Sequence, residues 1–218
     1  VGKEVVARGV HAASQRSGEF AAVGLGGVDD HVFTDTLFGH RKGAFTGADT
    51  RRDGLVARAA GGTLLLDEIG DMPAESQARL LRMLDTGEYL PLGVDRPSIS
   101  DARIICATNR DLARAVDEGS FRRDLYYRIS THHVHLPPLR ERPEDIPAIA
   151  AQTIRREADR LGRAPLRLSQ RATSALASLP LPGNVRELRQ IVIRALVTGT
   201  WDEIIGTTTG STVDDGDT

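Results

Sequence analysis

The first two thirds of the sequence predict an α/β domain, and the last third predicts a small helical domain. In the first part, short apolar runs alternate with stretches of helical spacing, which is the pattern of a layered sheet-and-helix domain. The runs Thr63–Leu66 and Arg103–Ala107 are continuous, as expected of strands buried inside a sheet. After Pro137-Pro138 the strand pattern stops. Three helices are predicted there, over residues 144–162, 169–179 and 184–199.

The remaining elements of the α/β part follow from local signals. Apolar positions at helical spacing predict a helix over residues 28–39. Pro73 suits the first turn of another helix, whose apolar stripe is Leu80, Leu81 and Leu84. A helix over residues 4–13, a strand over Phe20–Leu25 and a short strand and turn over Leu90–Gly93 complete the predicted core.

These patterns divide the chain into three parts. We place the α/β core at residues 1–139, the helical domain at residues 140–203 and a tail at residues 204–218. The tail is rich in Thr, Gly, Ser and Asp, a composition that predicts disorder. The chain begins with Val1 in the middle of a recognisable motif, and we therefore interpret it as a fragment.

Composition excludes several classes of protein. Lys and Arg number 28 against 30 Asp and Glu, which argues against a broadly basic domain that coats nucleic acid. No apolar run approaches the roughly 18 residues of a membrane span, so we expect no membrane association. Cys106 is the one cysteine. A single cysteine excludes an internal disulfide and suits the reducing cytoplasm, and Cys106 itself is predicted to be a small core residue.

Two acids follow the buried strand that ends at Leu66. Asp67 and Glu68 lie at its carboxyl end, which is the edge where open α/β sheets bind ligands. An Asp there can hold Mg²⁺ through the ion's water shell, and the adjacent Glu can orient a water towards a γ-phosphate. Taken alone, the pair is equally consistent with two solvated acids.

The residues Val1-Gly2-Lys3-Glu4 precede a predicted helix and resemble the end of a phosphate-binding loop. The Lys3 ammonium would reach phosphates at the helix N-terminus, where the helix dipole favours anions. A Gly-Lys pair is weak evidence, and Glu4 stands where Ser or Thr is usual.

The string Gly43-Ala44-Phe45-Thr46-Gly47-Ala48 is uncommon. Its two glycines permit sharp turns, so Phe45 could be exposed at a loop tip as a partner contact. The alternative, favoured by the string alone, is that Phe45 folds back into the core.

The string GAFTGA occurs with GGTLLLDEIGDMP, CATNRDL, FRRDLYYRI, LPPLRERPEDIP and PGNVREL. Together these resemble the central AAA+ ATPase domain of sigma-54-dependent transcription activators, over about residues 1–200. The resemblance implies a P-loop NTPase three-layer sandwich followed by a helical lid. It also implies that the first strand of the parallel sheet, with most of the phosphate loop, precedes residue 1.

The resemblance implies roles for the site residues. Lys3, with Gly2 and Glu4 beside it, corresponds to the Walker A lysine. Asp67 and Glu68 correspond to the Walker B pair, the first as magnesium ligand and the second as the residue that polarises water. Asn109, which follows Thr108, matches the sensor I region that reports the state of the γ-phosphate.

Three arginines extend the implied site. Arg122 and Arg128 match arginine fingers that reach the ATP of a neighbouring subunit, and Arg186 matches the sensor II arginine of the lid. The alternative for Arg122 and Arg128 is a solvated helix face paired with Asp124.

Two loops complete the resemblance, and one position departs from it. Phe45 and Thr46 lie at the tip of the loop that engages sigma-54 in this family, and residues 93–101 match a second insertion that moves with it. The family usually ends the strand at Phe20–Leu25 with an Asn that hydrogen-bonds the Walker B Glu. That position is Gly24 here, so coupling of nucleotide to the loop is expected to differ.

The implied function is a cytoplasmic ring, a hexamer, that hydrolyses ATP with Mg²⁺ to remodel sigma-54 RNA polymerase. Promoter and enhancer DNA would be bound through a further domain absent here. One alternative is another AAA+ remodelling machine, against which GAFTGA argues. The other is a degenerate regulatory homologue that binds partners without turnover. Gly24 and the incomplete loop leave this alternative open, whereas the intact Asp67 and Glu68 and both arginines argue against it.

Three histidines suggest a metal site by their density alone. His132, His133 and His135 lie on a predicted strand without carboxylate or cysteine partners. We therefore expect structural or exposed roles for them.

Overall fold

The computed structural model describes residues 2–202 and residue 206. The chain forms two compact units, Lys3–Val134 and a second one from His135 onward. The predicted tail lies outside the described residues, apart from Gly206.

The strands of the first unit are β1 (Phe20–Gly24), β2 (Gly39–His40), β3 (Arg52–Asp53), β4 (Thr63–Asp67), β5 (Glu88–Tyr89), β6 (Ser98–Ile99) and β7 (Arg103–Ala107). Its helices are α1 (Lys3–Ala13), α2 (Asp30–Phe38), α3 (Leu55–Arg58), α4 (Ala74–Thr86), α5 (Leu112–Asp117) and α6 (Arg123–Ile129). A short 3₁₀ turn, Ile69–Asp71, follows β4. The predicted α/β architecture is confirmed.

A three-stranded parallel sheet, in the order β1-β4-β7, positions the candidate site. The register aligns Gly24, Asp67 and Ala107 at one edge, where all three strands end. Strand β4 lies in the middle, and its residues 63–66 are fully buried. Its leucine run therefore packs between helical layers, as the continuous apolar pattern predicts.

Strand β7 differs from the prediction that it is buried on both faces. Arg103 is exposed, and the rest of the strand is half-buried. In the described part of the chain β7 pairs with β4 alone, so it is an edge strand. An edge strand lacks a neighbour on one side and buries less of each side chain.

Two further strand predictions need correction. The short strand and turn predicted at Leu90–Gly93 form only a single bridge, from Leu92 to His40, with a turn at Gly93. The regular strand lies earlier, at Glu88–Tyr89, and pairs antiparallel with Ser98–Ile99. The strand predicted around His132 and His133 does not form, and residues 131–135 are exposed. A strand needs a partner edge as well as an apolar pattern, and none pairs with this segment in the described residues.

Helix ends in the core follow local capping. Asp29 caps α2 by accepting a hydrogen bond from the backbone N–H of Val32 at 2.9 Å. Helix α4 begins directly after Pro73 and ends at Gly87, whose φ of 75° lies in the left-handed region. Its buried face holds Leu80 and Met83, while Leu81 and Leu84 are half-buried.

The second unit contains the three predicted helices. They are α7 (Ile146–Leu161), α8 (Gln170–Ser178) and α9 (Asn184–Thr198). Two 3₁₀ turns, Leu139–Glu141 and Pro143–Asp145, precede α7. The helices enclose a separate aliphatic core that includes Ile154, Leu176, Leu188, Val192 and Trp201.

Candidate active site

The site begins with an ion pair between two residues predicted to act on phosphate and magnesium. The ammonium nitrogen of Lys3, at the first position of α1, lies 2.7 Å from Oδ1 of Asp67 at the end of β4. The nitrogen is buried and has no hydrogen-bond acceptor besides this carboxylate in the described residues. A buried ammonium with unused donors at a helix N-terminus fits an anion such as a phosphate.

Glu68 adopts a conformation different from that of its neighbour. Its φ of 62° lies in the left-handed region, which is rare for a residue with a side chain. Its backbone N–H donates to Oδ1 of Asp67 at 3.0 Å. The chain therefore turns sharply after β4, and the two carboxylates point in different directions.

The Glu68 carboxylate lies against Gly26, which sequence reasoning missed. A Cβ placed on Gly26 would stand 2.3 Å from Oε2 of Glu68, so only glycine leaves this space free. A Cβ on Gly24, the position implied by the family resemblance, would meet nothing within 4 Å. The Gly26-Gly27 pair after β1 was the available signal, since paired glycines often mark a close approach of backbone.

Asn109 lies at the same edge of the sheet. Ala107 pairs with Asp67 in the register of β4 and β7, so Thr108 and Asn109 leave the sheet beside the acidic pair. Thr108 accepts a hydrogen bond from the backbone N–H of Arg110 at 3.0 Å, while Asn109 is exposed. The sensor role of Asn109 remains a prediction.

Arg122 is held by residues of its own chain. Its Nε and Nη2 donate to the two oxygens of Asp124 at 3.0 and 2.7 Å. This hydrogen bonding raises the pKa of Arg122 and lowers that of Asp124. The backbone N–H of Arg122 donates to Oε1 of the buried Gln77 at 2.8 Å, which fixes the start of α6.

Arg128 is held in a similar way. Its Nε lies 3.1 Å from Oδ1 of Asp85, and its Nη2 donates to the carbonyl of Leu84. Both predicted fingers are therefore exposed and engaged by acids or a carbonyl within the chain. The pairing of Arg122 with Asp124 is the one that the solvated-face alternative describes, and the finger role remains a prediction.

Three further residues are predicted to contact the nucleotide: Gly2, Glu4 and Arg186. Glu4 is exposed and pairs with Arg8 one turn later at 2.7 Å. Gly2 has a φ of 82°, which favours glycine there. Arg186 is exposed in the first turn of α9, in the helical unit.

The Gly43–Ala48 segment is a compact loop. The backbone N–H of Gly43 donates to the carbonyl of Ala48 at 2.8 Å. Phe45 is half-buried, with its ring centroid 4.6 Å from that of His31 and 5.0 Å from that of His40. It folds back onto these two rings, whereas Thr46 is exposed.

His40, whose ring contacts Phe45, belongs to a buried polar network. Nδ1 of His40 lies 2.5 Å from Oδ1 of Asp35, and its Nε2 lies 2.9 Å from the carbonyl of Thr50. Arg52 donates to the other Asp35 oxygen at 2.7 Å. Both nitrogens of His40 therefore face an oxygen atom.

The second insertion packs against the same loop. The backbone N–H of Arg41 donates to the carbonyl of Leu92 at 3.1 Å, and that of Leu92 donates to the carbonyl of Gly39 at 2.9 Å. A Cβ on Gly93 would lie 2.8 Å from the Cβ of Ala44. The two loops are therefore joined at their bases.

The described residues give little support for a reactive cysteine, a metal cluster or a membrane-spanning helix. Burial raises the pKa of Cys106 to about 12, which makes it a poor nucleophile. No group of three or more His, Cys, Asp or Glu is placed to hold a metal ion within residues 2–202 and 206. In the same part of the chain, no helix is long and apolar enough to cross a membrane.

The fold is that of the AAA+ ATPase class, and residues 140–208 match the family model "AAA+ ATPase lid domain". Residues 1–135 match the model "Sigma-54 interaction domain". The chain belongs to the sigma-54 interaction domain family.

Relatives and solved structures agree with this assignment. The chain is 47% identical over 194 residues to the DNA-binding transcriptional regulator NtrC of Rhizobium meliloti (strain 1021), covering 88% of this chain and 40% of the relative. Crystal structures of NtrX from Brucella abortus in complex with ADP and with ATP superpose with TM-scores of 0.81 and 0.79. They are 32% and 33% identical, and the match covers 100% of this chain and 49% and 47% of those chains. The chain thus spans less than half of these proteins.

Proposed function

We propose that this chain is the ATP-hydrolysing domain of an activator that remodels sigma-54 RNA polymerase. The observation that carries the proposal is the ion pair between the buried Lys3 nitrogen and Asp67, with Glu68 beside it, at the carboxyl edge of a parallel sheet. Family membership and the nucleotide-bound NtrX structures support ATP as the ligand.

Lys3 and Asp67 have different roles in binding the nucleotide, the first at the phosphates and the second at the magnesium ion. The Lys3 ammonium binds β- and γ-phosphate oxygens, because its buried donors then gain the acceptors that they lack in the pair. Asp67, released from the ammonium, holds Mg²⁺ through water. The ion, when bound, neutralises charge that develops on the phosphates.

Glu68 orients the attacking water. Its carboxylate is separated from Asp67 by the left-handed turn and lies in the opening at Gly26. From this position its carboxylate accepts a hydrogen bond from the water, which directs a lone pair of the water oxygen towards the γ-phosphate. Asn109, at the same edge, senses that phosphate.

Arg122 and Arg128 act on the neighbouring subunit of a ring, a hexamer. An arginine supplied in trans stabilises charge on the transferred phosphoryl group and can raise the rate by roughly 10³-fold or more. In the single chain both are engaged, Arg122 by Asp124 and Arg128 by Asp85. Assembly must exchange these exposed pairs for phosphate contacts, so hydrolysis depends on assembly. Arg186 adds a lid contact to the nucleotide.

The Gly43–Ala48 loop transmits movement from the nucleotide site to sigma-54. Phe45 rests on His40, whose buried network ties the loop to α2 through Asp35. Helix α2 follows the strand and the Gly26 opening that Glu68 occupies, so a movement of Glu68 has a short covalent path to the loop. Phe45 and Thr46 then contact sigma-54.

The test is the ATPase rate against protein concentration, in the natural protein that carries this domain. A ring with shared sites gives a rate per subunit that rises steeply with concentration. Arg122→Ala should abolish that rise while ATP binding persists. Arg123→Ala removes the adjacent exposed arginine and is the matched control. A flat background rate with ATP still bound would instead favour the regulatory homologue without turnover, to which Gly24 points.

A further inference from the structure

A buried carboxylate in the helical unit fixes two exposed arginines. Glu157, on α7, is 1% exposed. Its Oε2 accepts from Nε of Arg160 at 2.8 Å, and its Oε1 accepts from Nε of Arg189, on α9, at 2.7 Å. The side chains of these arginines are 56% and 49% exposed. The carboxylate thus orients both guanidinium groups from beneath.

The outer nitrogens of both guanidinium groups remain available. Each arginine uses only its Nε towards Glu157, and its Nη groups donate no hydrogen bond within the described residues. Two guanidinium groups share one negative charge, so this cluster keeps a net positive charge. Four Nη groups, held in place by a buried anchor, suit an oxyanion with several acceptor oxygens.

Two more arginines extend the cluster along α7. Arg156 lies one turn before Arg160 and has no partner among the described residues. Arg163 follows the end of α7 and donates to the carbonyls of Leu196 and Val197 at 3.0 and 2.9 Å. We name Arg156, Arg160, Arg163 and Arg189 the arginine row.

The length of the arginine row favours a repeating anion over a single one. Arg156 and Arg160 are about 6 Å apart along the axis of α7, at 1.5 Å per residue, and Arg163 follows just past the helix end. One strand of duplex DNA carries a phosphate about every 3.4 Å of its axis, so Arg156 and Arg160 alone are spaced by about two phosphate steps. The surrounding segment is also basic, with eleven Arg against seven Asp and Glu in residues 140–202.

We propose that the arginine row binds the phosphate backbone of duplex DNA without reading its sequence. The guanidinium fork matches phosphate oxygens in pairs, and a row of them follows the strand. The residues of the arginine row all lie in the helical unit. DNA binding by the row is measured without ATP and does not depend on the proposed function.

The test measures binding of the 218-residue chain to a fluorescein-labelled duplex of arbitrary sequence, by anisotropy in a series of salt concentrations. Each lost phosphate contact reduces the magnitude of the negative slope of log K against log salt by about 0.9. Arg160→Gln with Arg189→Gln should lower it by about 1.8 and weaken binding at least tenfold at low salt. Arg156→Gln, which breaks no contact of the fold, should lower it by about 0.9.

Arg194→Gln is the matched control. Arg194 is also exposed on α9, but it lies about 140° around the helix from Arg189, at 100° per residue. Its substitution by Gln removes the same positive charge as the other variants. It should leave the slope and the affinity unchanged. Equal losses for Arg194→Gln and Arg156→Gln, or no binding of the wild type at low salt, would overturn the proposal.

Two competitors distinguish other anions. Inorganic phosphate at matched ionic strength should not displace the duplex, and displacement would indicate a single-phosphate site instead. Polyglutamate should compete weakly, because carboxylates are spaced differently along a flexible chain. Competition equal to that of unlabelled duplex would assign the row to an acidic protein and reject DNA.

Discussion

The ammonium nitrogen of Lys3 lies 2.7 Å from Oδ1 of Asp67, although 63 positions separate the two residues in the sequence. One begins a helix and the other ends the central strand, so the contact joins the two elements that frame the site. Each charge is compensated by the other. Binding a phosphate to Lys3 and an ion near Asp67 therefore requires that this pair opens.

Lys3→Ala should remove nucleotide binding. It deletes the buried ammonium that would meet the phosphates and leaves Asp67 with an uncompensated charge, which repels an anion. We expect the dissociation constant for ATP to rise about 100-fold, or about 2.8 kcal/mol at 1.4 kcal/mol per tenfold. Calorimetric titration with MgATP measures it.

Glu4→Gln is the control for Lys3→Ala. Glu4 is exposed and paired with Arg8 in the same turn of α1, and it points away from the Asp67 contact. Its variant should bind ATP within about twofold of the wild type, since exposed pairs contribute about 1 kcal/mol or less. Equal losses in both variants would mean that the helix, rather than the Lys3 ammonium, is responsible.

Gly26→Ala should separate hydrolysis from binding. The new Cβ would stand 2.3 Å from Oε2 of Glu68, so the flexible carboxylate must leave its position. The rate should fall by roughly 10²-fold or more, in the range of a lost general base, with the affinity for ATP unchanged. Steady-state hydrolysis and nucleotide titration on the same variant give both numbers.

Gly24→Ala is the matched control for Gly26→Ala. The new methyl group there would meet nothing within 4 Å, and Gly24 has no positive φ. It should leave hydrolysis unchanged. The opposite result, in which Gly24→Ala slows hydrolysis and Gly26→Ala does not, would place the Glu68 carboxylate beside Gly24 instead of Gly26.

Local patterns predicted much of the fold. The leucine run of β4 predicted a central strand, and Asp67 at its end follows from that. The strand around His132 was wrong because pairing depends on an available edge, which an apolar pattern does not report. Gly26 was missed because its contribution is the absence of a side chain. The Lys3–Asp67 contact depends on tertiary packing, which no local spacing encodes.

His40→Ala should destabilise the α/β core. It leaves the Thr50 carbonyl without the His40 partner and Asp35 with Arg52 alone, beneath the Gly43–Ala48 loop. An unsatisfied buried polar group costs about 1–3 kcal/mol, and the free energy of unfolding should fall by that amount. Urea unfolding followed by circular dichroism measures it.

His31→Ala is the control for His40→Ala. His31 is exposed and its ring contacts Phe45, so its removal loosens the loop without opening the buried network. Its free energy of unfolding should change by about 0.5 kcal/mol or less, as for ordinary surface substitutions. A similar loss in both variants would attribute the effect to the Phe45 contacts and not to the buried network.

The Glu157 carboxylate should make the stability of the helical unit depend on pH. Hydrogen bonds from Arg189 and then Arg160 lower its pKa below the ordinary 4.5. A lowered pKa means that the stabilising contribution is fully present above about pH 4.5 and is lost as the pH falls through the lower folded value.

Urea midpoints at pH 7 and at pH 3, measured for the wild type and for Glu157→Gln, test this dependence. The variant should be less stable at pH 7, and the difference should shrink at pH 3. Glu144→Gln, an exposed acid without an ion pair in the described residues, should match the wild type at both values. A gap between wild type and Glu157→Gln that stays constant with pH would show that packing, and not the charge of Glu157, joins α7 to α9.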